Sequence, residues 1–476
     1  MIESHVRLPE PSAAAREKAC SLLLKALGQS TVLTRTESCE RYALDESEVK
    51  GRAPDAVVLA ESADDIRAAL AAARKAGVPI TPRGGGTGRV GGAVPLAGGI
   101  VLCTLGMSDI KEIDRREGIA VVGPGVVLAK LHDAVEKEGL FYPPDPGSLA
   151  DCALGGNVAA NAGGPRAFKY GVTRDYVLGV EAMLVGGQRI RAGRRTRKGV
   201  TGYDLAALLV GSEGTLAVFG DITLRLVPRP PSVMTLLALF RDVHHAGSAV
   251  EEITGAGIIP RCMELLDSGT LQAVRDAGNP IDRDAGAMLL IEVDGDEPAC
   301  EAQAERIAGA CERVGVRDVL AAQDASQRDR LWAARRQLSE AVRKLAKHKL
   351  AEDVVVPRQR IGELLDRMLA TGDRLEVRTM AYGHAGDGNL HVNFLWEEEG
   401  ERPAVDQAVE QLFRDTIDLG GTLSGEHGVG VLKAPYLPLE QSSEQIALQR
   451  ELKGVFDPQY LLNPGKIFPS GEHQRC

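Results

Sequence analysis

The chain has 476 residues, too many for one hydrophobic core, so two or three domains are expected. Hydrophobic residues at 44% and charged residues at 26% are ordinary for a globular enzyme, and no apolar run approaches the roughly 20 residues of a membrane helix. A net charge of −10 without a sustained basic stripe excludes nucleic acid as a partner.

Glycine is the one excess, 54 of 476 residues or about 11% against about 7% on average. The glycines cluster in a few loops, as expected where backbone packs closely on a ligand. The cysteines, Cys20, Cys39, Cys103, Cys152, Cys262, Cys300, Cys311 and Cys476, form no CxxC pair, which removes a zinc finger or a cysteine-ligated iron–sulfur cluster. Scattered thiols and an N-terminus, MIESHVRLPEPSAAAREK, without a signal-peptide core predict a cytoplasmic protein.

Residues 14–28 read as an amphipathic helix and residues 54–60 (PDAVVLA) as a strand. Ser62 then offers an N-cap, with Asp64 and Asp65 in the first turn of a helix that runs to Lys75 and stops at Gly77. Residues 78–82 form the next strand, giving a βαβ unit. That strand runs into Pro82-Arg83-Gly84-Gly85-Gly86-Thr87-Gly88 and then Gly91-Gly92. A dinucleotide fingerprint needs a helix opening at such a loop. Here Gly98-Gly99 and the strand IVLCTL follow instead. A strand–loop–strand phosphate cradle is therefore expected in preference to a plain turn.

Pro143-Pro144-Asp145-Pro146-Gly147-Ser148 is a rigid turn. The block from Gly155 to Gly164 (GGNVAANAGG), which includes Gly156, Asn157 and Asn161, leaves room for a large flat ligand where a packed core would want bulk. The run Arg194-Arg195-Thr196-Arg197-Lys198 reads as a solvated loop. Strands at 180–186 and 222–228 flank a loop with Gly211, Ser212 and Glu213, and Arg229-Pro230-Pro231 marks a domain boundary.

From Val233 the pattern changes to strand 233–240, helix 245–255, strand 287–295 and helix 297–315, a split βαβ layer with no element predicted over 256–286. A helix from Arg328 to about Lys347 carries Leu331, Leu338, Val342 and Leu345 on one stripe. Arg335 interrupts the stripe and Ser339 lies one turn on. The arginine either snorkels or offers bidentate capture of a carboxylate. A helix at 404–419 precedes the last glycine loop.

The stretch Ala381–Asn393, AYGHAGDGNLHVN, holds the sharpest chemical signal. Asp387-Gly388 reads as a two-residue type I′ hairpin turn. That register pairs Gly386 with Asn389, Ala385 with Leu390 and His384 with His391, so both imidazoles share one face with Asn393. Gly425-Glu426-His427-Gly428 adds a carboxylate and an imidazole on a later loop. Two histidines plus one glutamate make a three-ligand metal set with positions left open for a substrate.

Taken in order over residues 40–470, PRGGGTGRVGG, PPDPGS with GGNVAANAGG, GSEGTL, GHAGDGNLH, SGEHG and LLNPGK resemble the FAD-linked D-2-hydroxyacid dehydrogenases. That group of vanillyl-alcohol-oxidase-type flavoproteins includes D-lactate dehydrogenases, the flavin subunit of glycolate oxidase and D-2-hydroxyglutarate dehydrogenase. The resemblance implies an α+β fold. Residues 1–230 would form the FAD-binding domain, residues 231–403 a ferredoxin-like α+β substrate cap with the metal hairpin, and residues 404–476 a segment completing the FAD domain and active site.

It also implies FAD contacts at Pro82, Arg83, Gly84, Gly85, Gly86, Thr87, Gly88, Pro144, Asp145, Ser148, Gly155, Gly156, Asn157, Asn161, Gly164, Gly211, Glu213 and Asn463. No histidine stands at 83–92, where some relatives attach the flavin covalently, so noncovalent FAD is expected. The family's divalent metal, zinc or manganese, maps to His384, His391 and Glu426, and its catalytic base to His427. Substrate contacts map to Arg335, Ser339 and Asn393. A family lysine for a distal carboxylate has Lys349 as its nearest counterpart, out of step with Asp353 and Pro357, which argues against a dicarboxylate substrate.

The implied reaction oxidises a D-2-hydroxy acid, D-lactate ahead of D-2-hydroxyglutarate and glycolate. Electrons would pass to an external quinone, cytochrome, electron-transfer flavoprotein or iron–sulfur subunit, which could hold the chain at the membrane periphery. A homodimer is compatible with the sequence. A regulatory metal- or nucleotide-binding protein without redox chemistry is the competing class, and a bleachable flavin spectrum would remove it.

Overall fold

In the computed structural model, which describes residues 2–3, 8, 10–34, 36–47, 49–278 and 281–469, the chain divides into two units. The first comprises residues 1–162, 172–229 and 426–476, and the second 163–171 and 230–425.

The expected βαβ unit forms in the first. β1 (Ala56–Leu59) leads into α1 (Ala63–Ala76), where the Asp65 N–H donates to Ser62 Oγ and Asp65 accepts from the Ser62 N–H in return. Gly77 ends the helix at φ 69, a left-handed conformation that costs glycine nothing. β2 (Ile80–Arg83) and β1 both run parallel to β3 (Ile100–Cys103), which lies between them. Ile66, Leu70 and Ala73 of α1 share a buried cluster with Val58, Ile80 and Leu102 of these strands. No helix opens between β2 and β3, as the glycine spacing predicts.

A second, wholly antiparallel sheet contains β4 (Ile110–Asp114), β5 (Ile119–Val122), β6 (Val177–Met183), β7 (Arg189–Gly193) and β8 (Val218–Arg225) in the order β7-β6-β8-β5-β4. Between β5 and β6, α2 (Leu154–Ala160) takes up most of the small-residue block, and Asn161 ends it at φ 53.

The second unit is built on one antiparallel sheet of seven strands. In chain order it contains β9 (Ser232–Phe240), α3 (Val243–Gly255), β10 (Cys262–Leu266), α4 (Ser268–Asp276), β11 (Ala287–Gly295), α5 (Glu297–Arg313) and β12 (Asp318–Ala321). There follow α6 (Ala325–Arg343), β13 (His348–Val355), α7 (Ile361–Leu375), β14 (Arg378–His384), β15 (Asn389–Trp396) and α8 (Arg402–Asp418). The strand order is β12-β9-β11-β10-β14-β15-β13, whose first four members are a ferredoxin-like split βαβ layer. β10 and α4 occupy the stretch where no element is predicted. The five-residue run CMELL is too short for periodicity to separate strand from helix.

The expected boundary at residue 404 falls inside α8. That helix packs on α7 and β13, so the second unit continues to Gly425. Gly163–Gly171 also belongs to it, because Lys169 pairs with the buried Asp294 carboxylate and Tyr170 Oη donates to the same group at 2.8 Å.

The C-terminal tail returns to the first unit through α9 (Ser443–Phe456). Lys453 Nζ donates to the carbonyls of Thr215 and Leu462 at 2.7 and 2.8 Å, and Lys466 Nζ to that of Val94 at 2.7 Å. Burial pushes the Lys466 ammonium down to about 7, although Asp45 and Glu213 favour its charge. An unfolded lysine keeps its proton to about pH 10.4. Between roughly pH 7 and 10 the unfolded chain therefore binds more protons, and stability rises with pH. Lys466→Met is expected to flatten that rise, which thermal unfolding of both proteins across the window measures. None of the described helices is long and apolar enough to cross a membrane. The seven described cysteines are free, and Cys476 lies outside the described residues.

Candidate active site

The β14–β15 hairpin does not adopt the predicted two-residue turn. Asp387 and Gly388 both donate their backbone N–H to His384 O, at 3.3 and 3.1 Å, and only Gly388 has positive φ (84°). The loop is therefore the four residues 385–388. His384 pairs with Asn389, and Tyr382 with His391. Asp387 Oδ1 accepts from the Asn389 N–H at 3.2 Å, a local bond that competes with the type I′ geometry. The register differs by two residues, and a shift of two keeps every side chain on its face. His384 and His391 remain neighbours, with ring centroids 5.3 Å apart and planes at 87°. Asn393 lies on the same face, fully buried. Its Nδ2 donates to His391 O at 3.0 Å, and its Oδ1 has no hydrogen-bond partner among the described residues.

On the other flank, β10 places Glu264 opposite His384. The carboxylate is completely buried: Oε1 lies 2.6 Å from His384 Nδ1, and Oε2 accepts from Arg335 Nε and Nη2 at 2.7 and 2.6 Å. Burial alone would raise this carboxyl, but His384 and Arg335 outweigh it and hold the group below the usual range. Arg335 is thus anchored rather than snorkelling, and its guanidinium also lies 4.9 Å from the centre of the Tyr382 ring. One turn on, Ser339 meets Lys349, whose Nζ donates to Ser339 O and Oγ at 2.9 Å each. The lysine that looks out of step in sequence therefore does reach the Arg335–Ser339 face.

β13 contributes Asp353 opposite His391. Asp353 Oδ1 accepts from Asn389 Nδ2 at 2.6 Å, while Oδ2 accepts from Ser424 Oγ and the Gly425 N–H at 3.0 Å each. These bonds fix the backbone at Gly425, and Glu426 is the next residue. The candidate ligand atoms of His384, His391 and Glu426 all lie within 4.8 Å of one another, close enough for one ion. His427 Nε2 stands 3.9 Å from Glu426 Oε1, beyond hydrogen-bond range. The residue reading missed Glu264 and Asp353. A glutamate inside CMELL was the available signal for the first, because a charge in an apolar strand must be paired.

In the first unit, the glycine motifs meet one another. A Cβ on Gly85 would stand 2.5 Å from Asp151 O, and one on Gly84 3.5 Å from Gly156 N, so the loop after β2 lies directly on the start of α2. Gly156 itself faces open space. The Gly211 N–H donates to Val158 O at 3.0 Å, and Asn463 Nδ2 donates to the carbonyls of Gly92 and Glu213 at 3.0 and 2.8 Å. A Cβ on Gly214 would stand 3.3 Å from Pro82 Cγ, and Pro144 O receives His132 Nε2 at 3.0 Å. Thr87 and Gly88 continue the first loop, and the turn with Asp145 and Ser148 feeds α2, whose Asn157 points Nδ2 at Cys152.

Arg83 Nη1 donates to Leu44 O at 2.7 Å, and Asn161 Oδ1 accepts from the Arg174 N–H at 2.8 Å. The Glu213 carboxylate accepts from the N–H groups of Val429 and Gly430 at 2.8 and 2.7 Å. Gly164, with φ 130, lies in the second unit. The buried Asn463 Oδ1 and Ser212 Oγ lack partners among the described residues, as suits a cradle with polar capacity for a cofactor.

Residues 229–467 match the family described as FAD linked oxidases, C-terminal domain, and residues 54–193 match the FAD binding domain. The chain is 40% identical over 437 residues to the glycolate oxidase subunit GlcD of Bacillus subtilis, covering 91% of this chain and 93% of that one. It is 37% identical over 413 residues to the D-lactate dehydrogenase of Archaeoglobus fulgidus, covering 86% and 90%. Among solved structures, p-cresol methylhydroxylase with substrate bound superposes with a TM-score of 0.81 at 16% identity, covering 97% of this chain and 98% of that one. The 4-ethylphenol oxidase of Gulosibacter chungangensis gives 0.79 at 20%, covering 98% and 100%. These two likenesses show the vanillyl-alcohol-oxidase-type fold.

Proposed function

The chain belongs to the FAD-linked oxidases, and from that membership we propose that it oxidises a small D-2-hydroxy acid, D-lactate first, to the 2-oxo acid with the help of a divalent ion, zinc or manganese. The observation that carries this reading is the convergence of two imidazoles and a carboxylate within 4.8 Å. His384, His391 and Glu426 would hold the ion and keep coordination positions open for substrate. When bound, FAD accepts the C2 hydrogen with its two electrons and the ion lowers the pKa of the hydroxyl group.

The chain's own residues do the rest. Arg335 gives two of its five N–H donors to Glu264, and the others are the means of holding the substrate carboxylate, with Ser339 beside them. Asn393 Oδ1, buried and without a hydrogen-bond partner among the described residues, orients a donor on the substrate. His427 Nε2 takes the hydroxyl proton, the general-base role an imidazole commonly fills. FAD is held noncovalently, since no histidine stands at 83–92. With no clustered cysteines for an iron–sulfur centre, electrons leave to a quinone, cytochrome, electron-transfer flavoprotein or iron–sulfur subunit outside the chain.

One observation favours a second substrate. Lys349 at Ser339 adds a cation beyond Arg335, which suits the distal carboxylate of D-2-hydroxyglutarate. A single experiment separates the readings: bleaching of the flavin band under anaerobic conditions by D-lactate, glycolate and D-2-hydroxyglutarate, with wild type and Lys349→Met. D-Lactate is expected to bleach both proteins equally. Loss of bleaching by D-2-hydroxyglutarate alone in Lys349→Met would select the dicarboxylate. No bleaching by any of the three would overturn the 2-hydroxy acid reading.

A further inference from the structure

A carboxylate with no exposed surface is an expensive component unless its charge is used. Glu264 sits in mid-strand, flanked by the buried Met263 and Leu265, and both of its oxygens are committed. A fold seeking stability alone could fill this place with an apolar side chain, because a buried ion pair seldom outperforms good packing. What an apolar residue could not do is hold two particular groups in fixed orientation at once. Oε1 fixes the imidazole plane of His384 and engages its Nδ1, so a ligand role falls to Nε2. Oε2 takes Nε and Nη2 of Arg335 and fixes the guanidinium in its own plane, while the Tyr382 ring at 4.9 Å limits it from the face.

We propose that Glu264 is a positioning residue that couples ion binding at His384 to carboxylate binding at Arg335, so that each site is organised only while the other partner is in place. This inference rests on the reading that His384 holds an ion and Arg335 the substrate. It adds that the two are mechanically one unit. Glu264 touches neither ligand directly. Removing Arg335 leaves its carboxylate with a single partner, free to rotate and carry the His384 ring off line. Removing His384 frees the guanidinium in the same way. Coupling of this kind is reciprocal.

The test measures ion affinity without substrate or turnover, by competition between the purified flavoprotein and a coloured chelator for Zn²⁺ or Mn²⁺. Four proteins are compared: wild type, Arg335→Met, Glu264→Gln and the double variant, each checked for retained flavin and for a single cooperative unfolding transition above the assay temperature. Arg335 is no ion ligand, yet Arg335→Met is expected to weaken ion binding about 10-fold, within the 10- to 100-fold span for loss of a group that orients a ligand. Glu264→Gln is expected to do so by a similar factor, and the double variant by no more than Glu264→Gln alone.

Arg335→Lys, which restores one donor to Glu264, should recover part of the ion affinity while KM for the acid stays raised. Unchanged ion affinity in Arg335→Met, or independent losses that multiply in the double variant, would overturn the coupling while leaving the metal site intact. Failure of the wild type to bind either ion would instead remove the metal reading itself, and this inference with it. Should Glu264→Gln fail to fold, the Arg335→Met and Arg335→Lys pair still decides the matter.

Discussion

His384→Ala and Glu426→Ala should each abolish oxidation of the 2-hydroxy acid while the protein stays yellow. The reason is local. His384 lies in a hairpin of the second unit, paired to Asn389 and β10, and the glycine loops proposed to hold the flavin belong to other elements. Each substitution removes one of three candidate ligands and leaves a set of two, too few to hold a divalent ion firmly. An ion that lowers the pKa of a bound hydroxyl supplies several kcal/mol, and each ~1.4 kcal/mol is a factor of about 10, so a loss of about 10³-fold or more in kcat is expected.

The two variants are not equivalent in stability. His384→Ala also strips a partner from the buried Glu264 carboxylate, which keeps only Arg335. It should lower the unfolding temperature more than Glu426→Ala, whose loop is partly exposed. Steady-state kinetics in chelator-treated buffer, with and without added Zn²⁺ or Mn²⁺, makes the comparison. Near-normal kcat in either variant without added metal would end the metal-assisted mechanism.

What could be read in advance follows the range of the interactions concerned. The βαβ unit was legible because Ser62, Asp65 and Gly77 act within a few residues of themselves. The shared face of His384 and His391 was legible too, because strand parity survives a register shift of two. The register itself was not, since Asp387 prefers its own bond to the Asn389 N–H over the type I′ turn. Glu264 and Asp353 escaped the residue reading for a common reason. Each meets its partner through sheet or helix packing, at separations such as the 120 residues between Glu264 and His384, where spacing carries no information. The boundary placed at 404 failed similarly, because only the packing of α8 against α7 and β13 assigns that helix to the second unit.

Glu213 is where the resemblance and the geometry suggest different roles, and Glu213→Ala distinguishes them. The GSEGTL motif assigns this residue to FAD, but its partly buried carboxylate accepts from the N–H groups of Val429 and Gly430, directly after the Glu426-His427 pair. Its backbone is tied as well, with its N–H on Ala159 O and its carbonyl receiving Asn463 Nδ2. The residue has φ 51, a strained value for any side chain but glycine. Alanine carries the same strain, so the substitution reads out the carboxylate alone.

Two N–H groups would lose their acceptor, Gly430 buried and Val429 partly so, at about 1–3 kcal/mol for the buried one and less for the other, so a loss of roughly 2–4 kcal/mol is expected. At about 2–4 °C per kcal/mol, the unfolding temperature should fall by roughly 4–16 °C. A brace for the 426–430 loop weakens the apoprotein as much as the holoprotein. A cofactor contact weakens only the holoprotein. Thermal unfolding of both forms, before and after stripping FAD, therefore assigns the role. Equal drops identify the brace of the 426–430 loop. A drop confined to the holoprotein would return Glu213 to the flavin.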